Sequence, residues 1–268
     1  MNNSPRATRY TLTIGWLYPE LMSTYGDRGN IICLQKRCEW RGIDVEVKRL
    51  DVGFAHEQLA TCHLLFMGGA QDTQQKIVSR DFSREKVKAL KDIVERGIPG
   101  LYICGAYQFL GKYYREASGK IIEGLGILDL YTENPGEKSP RLIGNIVVDA
   151  RSVLRVARRE SSTSHMLPPT TYLVGFENHG GRTYLGKDVK PLGTVIKGFG
   201  NNGEDKTEGA VYKNSFGSYL HGPILPKNPH FADLLIKLAL QKKYKEEITL
   251  QKLDDSLEWQ AHNSAVKK

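Results

Sequence analysis

The stretch PGLYICGAYQFLG, from Pro99 to Gly111, decides how this chain reads. Leu101, Tyr102 and Ile103 form a short apolar run without polar alternation, the pattern of a strand buried on both faces of a parallel sheet. The run meets Cys104, and Gly105 and Ala106 then open a segment with helical character. Cys104 is therefore either a core packing residue or a nucleophile on a strand-to-helix turn. In open α/β sheets ligands bind at the carboxyl ends of the strands. A sharp turn there projects its side chain into the cleft, as the serine of a nucleophile elbow does. The partial positive charge of a helix N-terminus also favours thiolate over thiol. Taken alone, the stretch favours a packing cysteine, and the rest of the chain must decide.

The elements around it alternate between strand and helix. TLTIGWLY reads as a first strand, followed by a helix from about Asp27 to Arg41, with Asp27 as N-cap and Gly42 past its end. VEVKRL and HLLFMGG read as further strands, the latter ending in a glycine turn. Ser83 caps a helix with Val87, Leu90 and Val94 on one face, closed by Gly97 and Pro99. This β/α alternation predicts an α/β fold on a largely parallel sheet. The second half changes character: RLIGNIVV, TYLVGF, GTVIKGFG and GAVYKN are strand-like and divided by glycine turns. One clear helix follows, from Pro229 to about Gln241, with Asn228 as its N-cap. Residues 1–241 read as one domain with a polar insertion at about 157–171. The tail, 242–268, is polar and reads as a loosely packed surface helix.

Composition narrows the function classes. The 268 residues are 40% hydrophobic and 25% charged, ordinary values for a soluble globular chain. No apolar run is long enough to span a bilayer, and the N-terminal segment is too short and polar for a secretory signal. The expectation is a cytoplasmic protein. The net charge of +8 would suit an anionic partner, yet the basic residues are scattered and no nucleic-acid motif accompanies them. Cys33, Cys38, Cys62 and Cys104 form no CxxC pair and no disulfide framework. Cys62-His63 lacks partners at ligand spacing, so no metal site is expected.

A nucleophilic cysteine needs a base close in space. GSYLHGPIL places His221 at the end of an apolar strand, where such a base would sit. His179 lies in a turn, GFENHGG. An acyl-enzyme route also needs preorganised N–H donors for an oxyanion. FMGGAQD supplies a glycine turn at a strand end, with Gly68, Gly69 and Ala70, and the N–H of Gly105 is a second candidate. Each feature has a structural reading of its own, since Gly-Gly is most often a tight turn and a lone histidine most often structural. No Walker pattern and no GxGxxG after a strand is present, so nucleotide binding is disfavoured.

Together, YICGAYQFLG, FMGGAQD, FENHGG and SYLHGP resemble, in order, the nucleophile motif, oxyanion loop, glutamine-binding turn and catalytic-histidine motif of class I glutamine amidotransferases. The resemblance is to their cobyric-acid-synthase-like branch. LYPELMSTYGDRGN and GFENHGGRTYLG further resemble the glutaminase subunits of lipid II isoglutaminyl synthases. The resemblance implies a three-layer flavodoxin-like α/β fold with antiparallel strands added in the second half. It implies that Cys104 attacks the glutamine side-chain amide with His221 as base and acid. Gly69 or Ala70, with Gly105, would form the oxyanion hole. Gln108, Arg141, Asn178, His179 and Gly180 would hold the substrate, Arg141 pairing with its carboxylate; a surface strand residue is an equal reading of Arg141. No cofactor is implied in this chain. ATP and its metal would belong to a Mur-ligase-like partner in a heterodimer that amidates D-glutamate in lipid II during peptidoglycan synthesis. Peripheral placement at the inner membrane face is left open. Cobyrinate amidation and a catalytically silent binding module are the alternatives.

Two departures from the family pattern stand out. Tyr102 and Ala106 replace glycines flanking the cysteine. Pro223 occupies the place, two after the histidine, where a triad glutamate is expected. The third member is then either dispensable or supplied from elsewhere, and the expectation is a carboxylate from the partner subunit.

Overall fold

The computed structural model describes residues 10–154 and 171–267. A six-stranded sheet forms the centre. Its first strands are β1 (Thr11–Leu17), β2 (Asp44–Leu50), β3 (Leu64–Met67) and β4 (Gly100–Ile103). The chain then makes β5 (Tyr113–Arg115), β6 (Ile121–Glu123), β7 (Leu130–Glu133), β8 (Leu142–Asp149), β9 (Tyr172–His179) and β10 (Arg182–Leu185). The last strands are β11 (Gly193–Lys197), β12 (Thr207–Glu208), β13 (Ala210–Tyr212) and β14 (Ser215–Ser218). The central order is β13-β14-β4-β3-β1-β2, parallel except where β13 meets β14. Two four-stranded sheets, β10-β7-β5-β6 and β12-β11-β8-β9, add the antiparallel pairings expected of the second half.

The apolar runs of β3 and β4 are buried along their whole length because helices cover both faces. Period-two geometry divides their side chains: Leu64 and Phe66 join one core with Leu101 and Ile103, while Leu65, Met67 and Tyr102 join the other. Helices α1 (Arg28–Glu39) and α5 (Pro229–Tyr244) supply Ile31, Leu34, Phe231 and Leu235 to the first core. Helix α3 (Arg84–Glu95), with α2 (Asp72–Asp81) and the short α4 (Gly105–Phe109), supplies Leu90, Ile93, Val78 and Tyr107 to the second. The result is the three-layer α/β arrangement. At the α3 start, Lys86 N donates to the Ser83 hydroxyl, 3.3 Å, as its cap position requires.

Two expected caps do different work. Asn228 precedes α5, but its side chain does not cap it: its Oδ1 accepts from Val174 N and its Nδ2 donates to the carbonyls of Val174 and Ile224. It ties β9 to the segment leading into α5. Asp27 precedes α1 and likewise makes no side-chain cap. The insertion expected at about 157–171 lies, except for Thr171, outside the described residues.

The tail is not loose. It ends in helix α6 (Ser256–Lys267), where Trp259 stacks on His230 at 5.1 Å and buried His262 Nδ1 meets the Lys227 carbonyl. Its approach is held by Arg37, a buried guanidinium on α1 that donates to both oxygens of Asp233 on α5 and both of Asp255 before α6. The fork geometry of arginine suits two carboxylates at once. Removing one partner of such a cluster leaves charge without compensation. Arg37→Met is expected to lower the unfolding free energy by about 2–4 kcal/mol in urea denaturation, with little change in the transition's slope.

Candidate active site

The carboxyl ends of β1, β3, β4 and β14 converge on one crevice, where this type of sheet binds ligands. Cys104 stands there between β4 and α4 with φ 51° and ψ −105°, a conformation that L residues avoid. Its N–H donates to the Ser218 carbonyl at 2.8 Å and its carbonyl accepts from Gln108 N at 2.9 Å, so the strained turn is clamped on both sides. Such strain persists only where the surroundings over-determine it. This is the elbow, and it raises the thiol above the sheet edge at the helix N-terminus.

Small residues around it have specific causes. A Cβ on Gly105 would lie 2.9 Å from Ala70 N and 3.0 Å from Ala70 O. A Cβ on Gly69 would lie 2.9 Å from His221 Cε1 and 3.3 Å from Cys104 Cβ. The glycine turn after β3 therefore fits between cysteine and histidine only as glycine.

The structure supplies what the motif lacked. His221 Nδ1 lies 3.2 Å from Asp27 Oδ1, and both side chains are fully buried. The carboxylate comes from this chain, 194 positions away, which corrects the expectation of a partner-supplied acid. Pro223, in the place of the expected glutamate, explains how. A Cβ on Gly29 would lie 2.5 Å from Pro223 Cγ, so the first turn of α1 is packed onto the proline. Asn30 Oδ1 accepts from Leu225 N at 2.9 Å and fixes the same turn. That packing delivers Asp27 to the histidine.

Asp27 also redefines the oxyanion loop. Its Oδ2 accepts from Gly69 N at 2.6 Å, while the Gly69 carbonyl accepts from Thr24 N and the Thr24 hydroxyl at 3.1 and 2.9 Å. Both polar groups of Gly69 are committed, so its N–H is a brace for Asp27 and not an oxyanion donor. Ala70 and Gly105 lie against each other beside Cys104.

Asp27 engages Nδ1 of His221, and the ring lies close enough to Cys104 to interact with its sulfur. Burial opposes charge on this ring, but the cysteine sulfur and the Asp27 carboxylate outweigh it and move its pKa up to about 10. Tyr25, at φ 55°, packs its ring edge against the imidazole at 5.0 Å. His179 differs: burial lowers its pKa, its Nδ1 meets the Gly181 carbonyl at 2.8 Å, and its ring stacks on Tyr219 at 3.6 Å. It is a neutral wall of the site.

A cleft of about 400 Å³ opens beside Cys104, of the size that small-molecule sites occupy. Gln108, Arg141, Asn178, His179 and Gly180 all line it, together with Tyr25, Asp72, Gln75 and Tyr114, which sequence reasoning did not single out. Gln108 is buried; its Nε2 donates to Tyr219 OH at 3.1 Å and its Oε1 accepts from Gln75 Nε2 at 3.3 Å. Arg141 directly precedes β8, and the pairing of Leu142 with His179 sets it beside the Asn178–Gly180 turn. Arg141 Nε donates to Asn178 Oδ1 at 2.8 Å and Nη2 to the Asn178 carbonyl at 2.9 Å. Asn178 Nδ2 in turn donates to Tyr25 OH at 2.7 Å. The guanidinium lines the cleft and is held there by Asn178. The arrangement can form and cleave a thioester on a ligand that carries a carboxylate. Among the described residues no group of His, Cys, Asp and Glu could hold a metal.

Asp27→Asn would keep the shape and remove the charge. The His221 pKa is expected to fall from about 10, with Cys104 still holding it up, read as a downward shift of the imidazolium titration midpoint in ¹⁵N-edited NMR. Because the native pKa is the raised one, the charged ring contributes stability fully below pH 6.5 and loses it as pH rises through about 10. The variant should flatten that decline.

Comparisons with known proteins agree with this geometry. Residues 13–229 match the CobB/CobQ-like glutamine amidotransferase domain. The chain is 44% identical to the GatD subunit of lipid II isoglutaminyl synthase (glutamine-hydrolyzing) of Staphylococcus aureus, over 87% of this chain and 86% of that one. The corresponding subunit of Streptococcus pneumoniae is 42% identical, over 92% and 88%. A probable cobyric acid synthase of Methanothermobacter thermautotrophicus is 30% identical over 80% of this chain but only 39% of its own length. With its strained cysteine elbow, facing histidine and domain match over most of its length, this chain belongs to the CobB/CobQ-like glutamine amidotransferase family.

Proposed function

We propose that this chain is the glutaminase subunit of a lipid II isoglutaminyl synthase. The observation that carries the reading is the Cys104–His221–Asp27 constellation at the end of a cleft that Arg141 marks for a carboxylate. In the first half-reaction Cys104 Sγ attacks the side-chain amide carbon of L-glutamine, its proton already resting on His221, whose pKa is raised to about 10. Negative charge develops on the amide oxygen, toward the N–H groups of Ala70 and Gly105. The imidazolium, held by Asp27, gives its proton to the amide nitrogen, the C–N bond breaks and ammonia leaves. A glutamyl thioester remains on Cys104. Water then attacks it, His221 taking up and keeping the water proton as the sulfur departs, and glutamate is released. Asp27 keeps the imidazole in the reactive tautomer and orientation throughout.

The ammonia acceptor is assigned from the relatives. Both GatD subunits cover this chain almost end to end, and the chain has no Walker or dinucleotide loop. In this reading carboxylate activation by ATP, with its metal, belongs to a second polypeptide, a Mur-ligase-like subunit MurT, and the lack of a Walker pattern in this sequence supports it. There the α-carboxylate of D-glutamate in lipid II would become the amide of D-isoglutamine. No helix among the described residues is long and apolar enough to cross a membrane. Supply of ammonia for cobyrinate amidation is the weaker reading, because the cobyric acid synthase is 30% identical where the GatD subunits are 44% and 42% identical.

The isolated chain is expected to release ammonia from L-glutamine, since the triad is complete within it. Cys104→Ser should abolish release, and Asp27→Asn should lower kcat about 10²–10⁴-fold. Lipid II amidation with glutamine as nitrogen source should require both chains and ATP. Full amidation by a complex carrying Cys104→Ser, with glutamine and no added ammonia, would contradict the assignment.

A further inference from the structure

The cleft contains a carboxylate that the reaction just described does not use. Asp72 is the first residue of α2, half-buried, and lines the same cleft as Cys104 and Arg141. Among the described residues no hydrogen bond or ion pair holds its carboxylate. The nearest cation on its own helix is committed elsewhere: Lys76 pairs with Glu116 at 2.6 Å. Burial and the charge of Glu116 push the Asp72 pKa up, and Lys76 and Arg141 only partly offset them. An anion in that position is short of a positive partner.

Other carboxylates around the site are already occupied. Glu116 has Lys76, and Glu133 has Arg115 and the Tyr113 hydroxyl. Glu177 accepts from the N–H groups of Phe199 and Gly200. Glu208 accepts from Ser218 and from Tyr219 N, and Asp27 from His221 and Gly69. Asp72 alone among these faces the cleft with its charge unmet.

Glutamine supplies the missing charge. Its α-carboxylate and α-ammonium hang from one carbon, so the groups that bind them must share one end of the site. Asp72 and Arg141 satisfy this: both line the cleft, and they are close enough to act on each other electrostatically. We infer that Asp72 accepts the α-ammonium of L-glutamine while Arg141 holds its α-carboxylate, so that the site selects a free amino acid over amides lacking the amino group. The inference rests on the glutaminase reading and names the specificity of that site. It implies rejection of 4-carbamoylbutanoate, which has the amide and carboxylate but no amine, because Asp72 would be buried by the ligand without a partner.

Two measurements on the full chain test it. In turnover, the wild-type protein should prefer L-glutamine over 4-carbamoylbutanoate in kcat/KM by about 10²-fold or more. Asp72→Asn should lose at least about tenfold of that preference, through a higher KM for glutamine and a lower one for 4-carbamoylbutanoate, which then buries no unpaired charge. In binding, calorimetry on Cys104→Ala, with and without Asp72→Asn, should show the same loss of preference. Equal alkylation of Cys104 by iodoacetamide in wild type and Asp72→Asn checks that the elbow is intact. A preference that survives Asp72→Asn in binding overturns the role of Asp72, even where turnover proceeds. Absence of glutamine hydrolysis by the wild type, with binding preference for glutamine present and dependent on Asp72, would instead remove the glutaminase reading and leave the amine site standing.

Discussion

The buried carboxylate of Asp27 organises this site. One oxygen orients His221 and the other pins the Gly69 peptide, so a single side chain sets the base and the turn beside the nucleophile. Burying an ion is costly unless it is paired and hydrogen-bonded, and here each oxygen has a partner. The imidazole benefits in turn, since the carboxylate and the cysteine together keep it readily protonated in a place where burial alone would discharge it. Elements distant in sequence must meet for this to occur: the start of α1, the turn after β3 and the segment after β14. Pro223 against Gly29, and Asn30 against Leu225, bring the first and last together.

The cysteine elbow depends on a second constraint, the sheet itself. A residue at φ 51°, ψ −105° stores of order 1–3 kcal/mol of backbone strain. β4 is paired with β3 on one side and β14 on the other, and Ile103 aligns with Ser218. With the strand fixed and α4 already turning, the backbone at Cys104 has no relaxed alternative. Gly105 is then required because Ala70 lies against it. Rigid strands thus hold the thiol, the donors and the histidine at one edge, and the second-half sheets bring Arg141 and Asn178 over the opening.

Much of this was readable in the sequence where local rules govern. The apolar run at Leu101–Ile103 and the capped helix after Ser83 follow from periodicity and capping, and both stand in the fold. The strained turn at Cys104 agrees with the strand-to-helix reading. Where a side chain's partner lies far along the chain, local rules fail. Asp27 has the composition and position of an N-cap, and nothing near it indicates a histidine 194 positions on. Asn228 was misread in the same way, because its partners belong to β9. Gly69 looked like an oxyanion donor, and only the carboxylate beneath it reveals that its N–H is engaged. The polar tail looked loosely attached until Arg37 joined Asp255 to Asp233. A missing glutamate at Pro223 was the one available signal that a carboxylate had to arrive from elsewhere, and the chain itself provides it.

The central claim is that one chain holds a complete thioester-forming site. The direct measurement is intact-mass spectrometry of the isolated chain, quenched in acid while it turns over L-glutamine, followed by peptide mapping. A glutamyl adduct is expected on Cys104, formed without any partner and absent in Cys104→Ser. Ammonia release accompanied by an adduct on another residue, or continuing undiminished in Cys104→Ser, would contradict it.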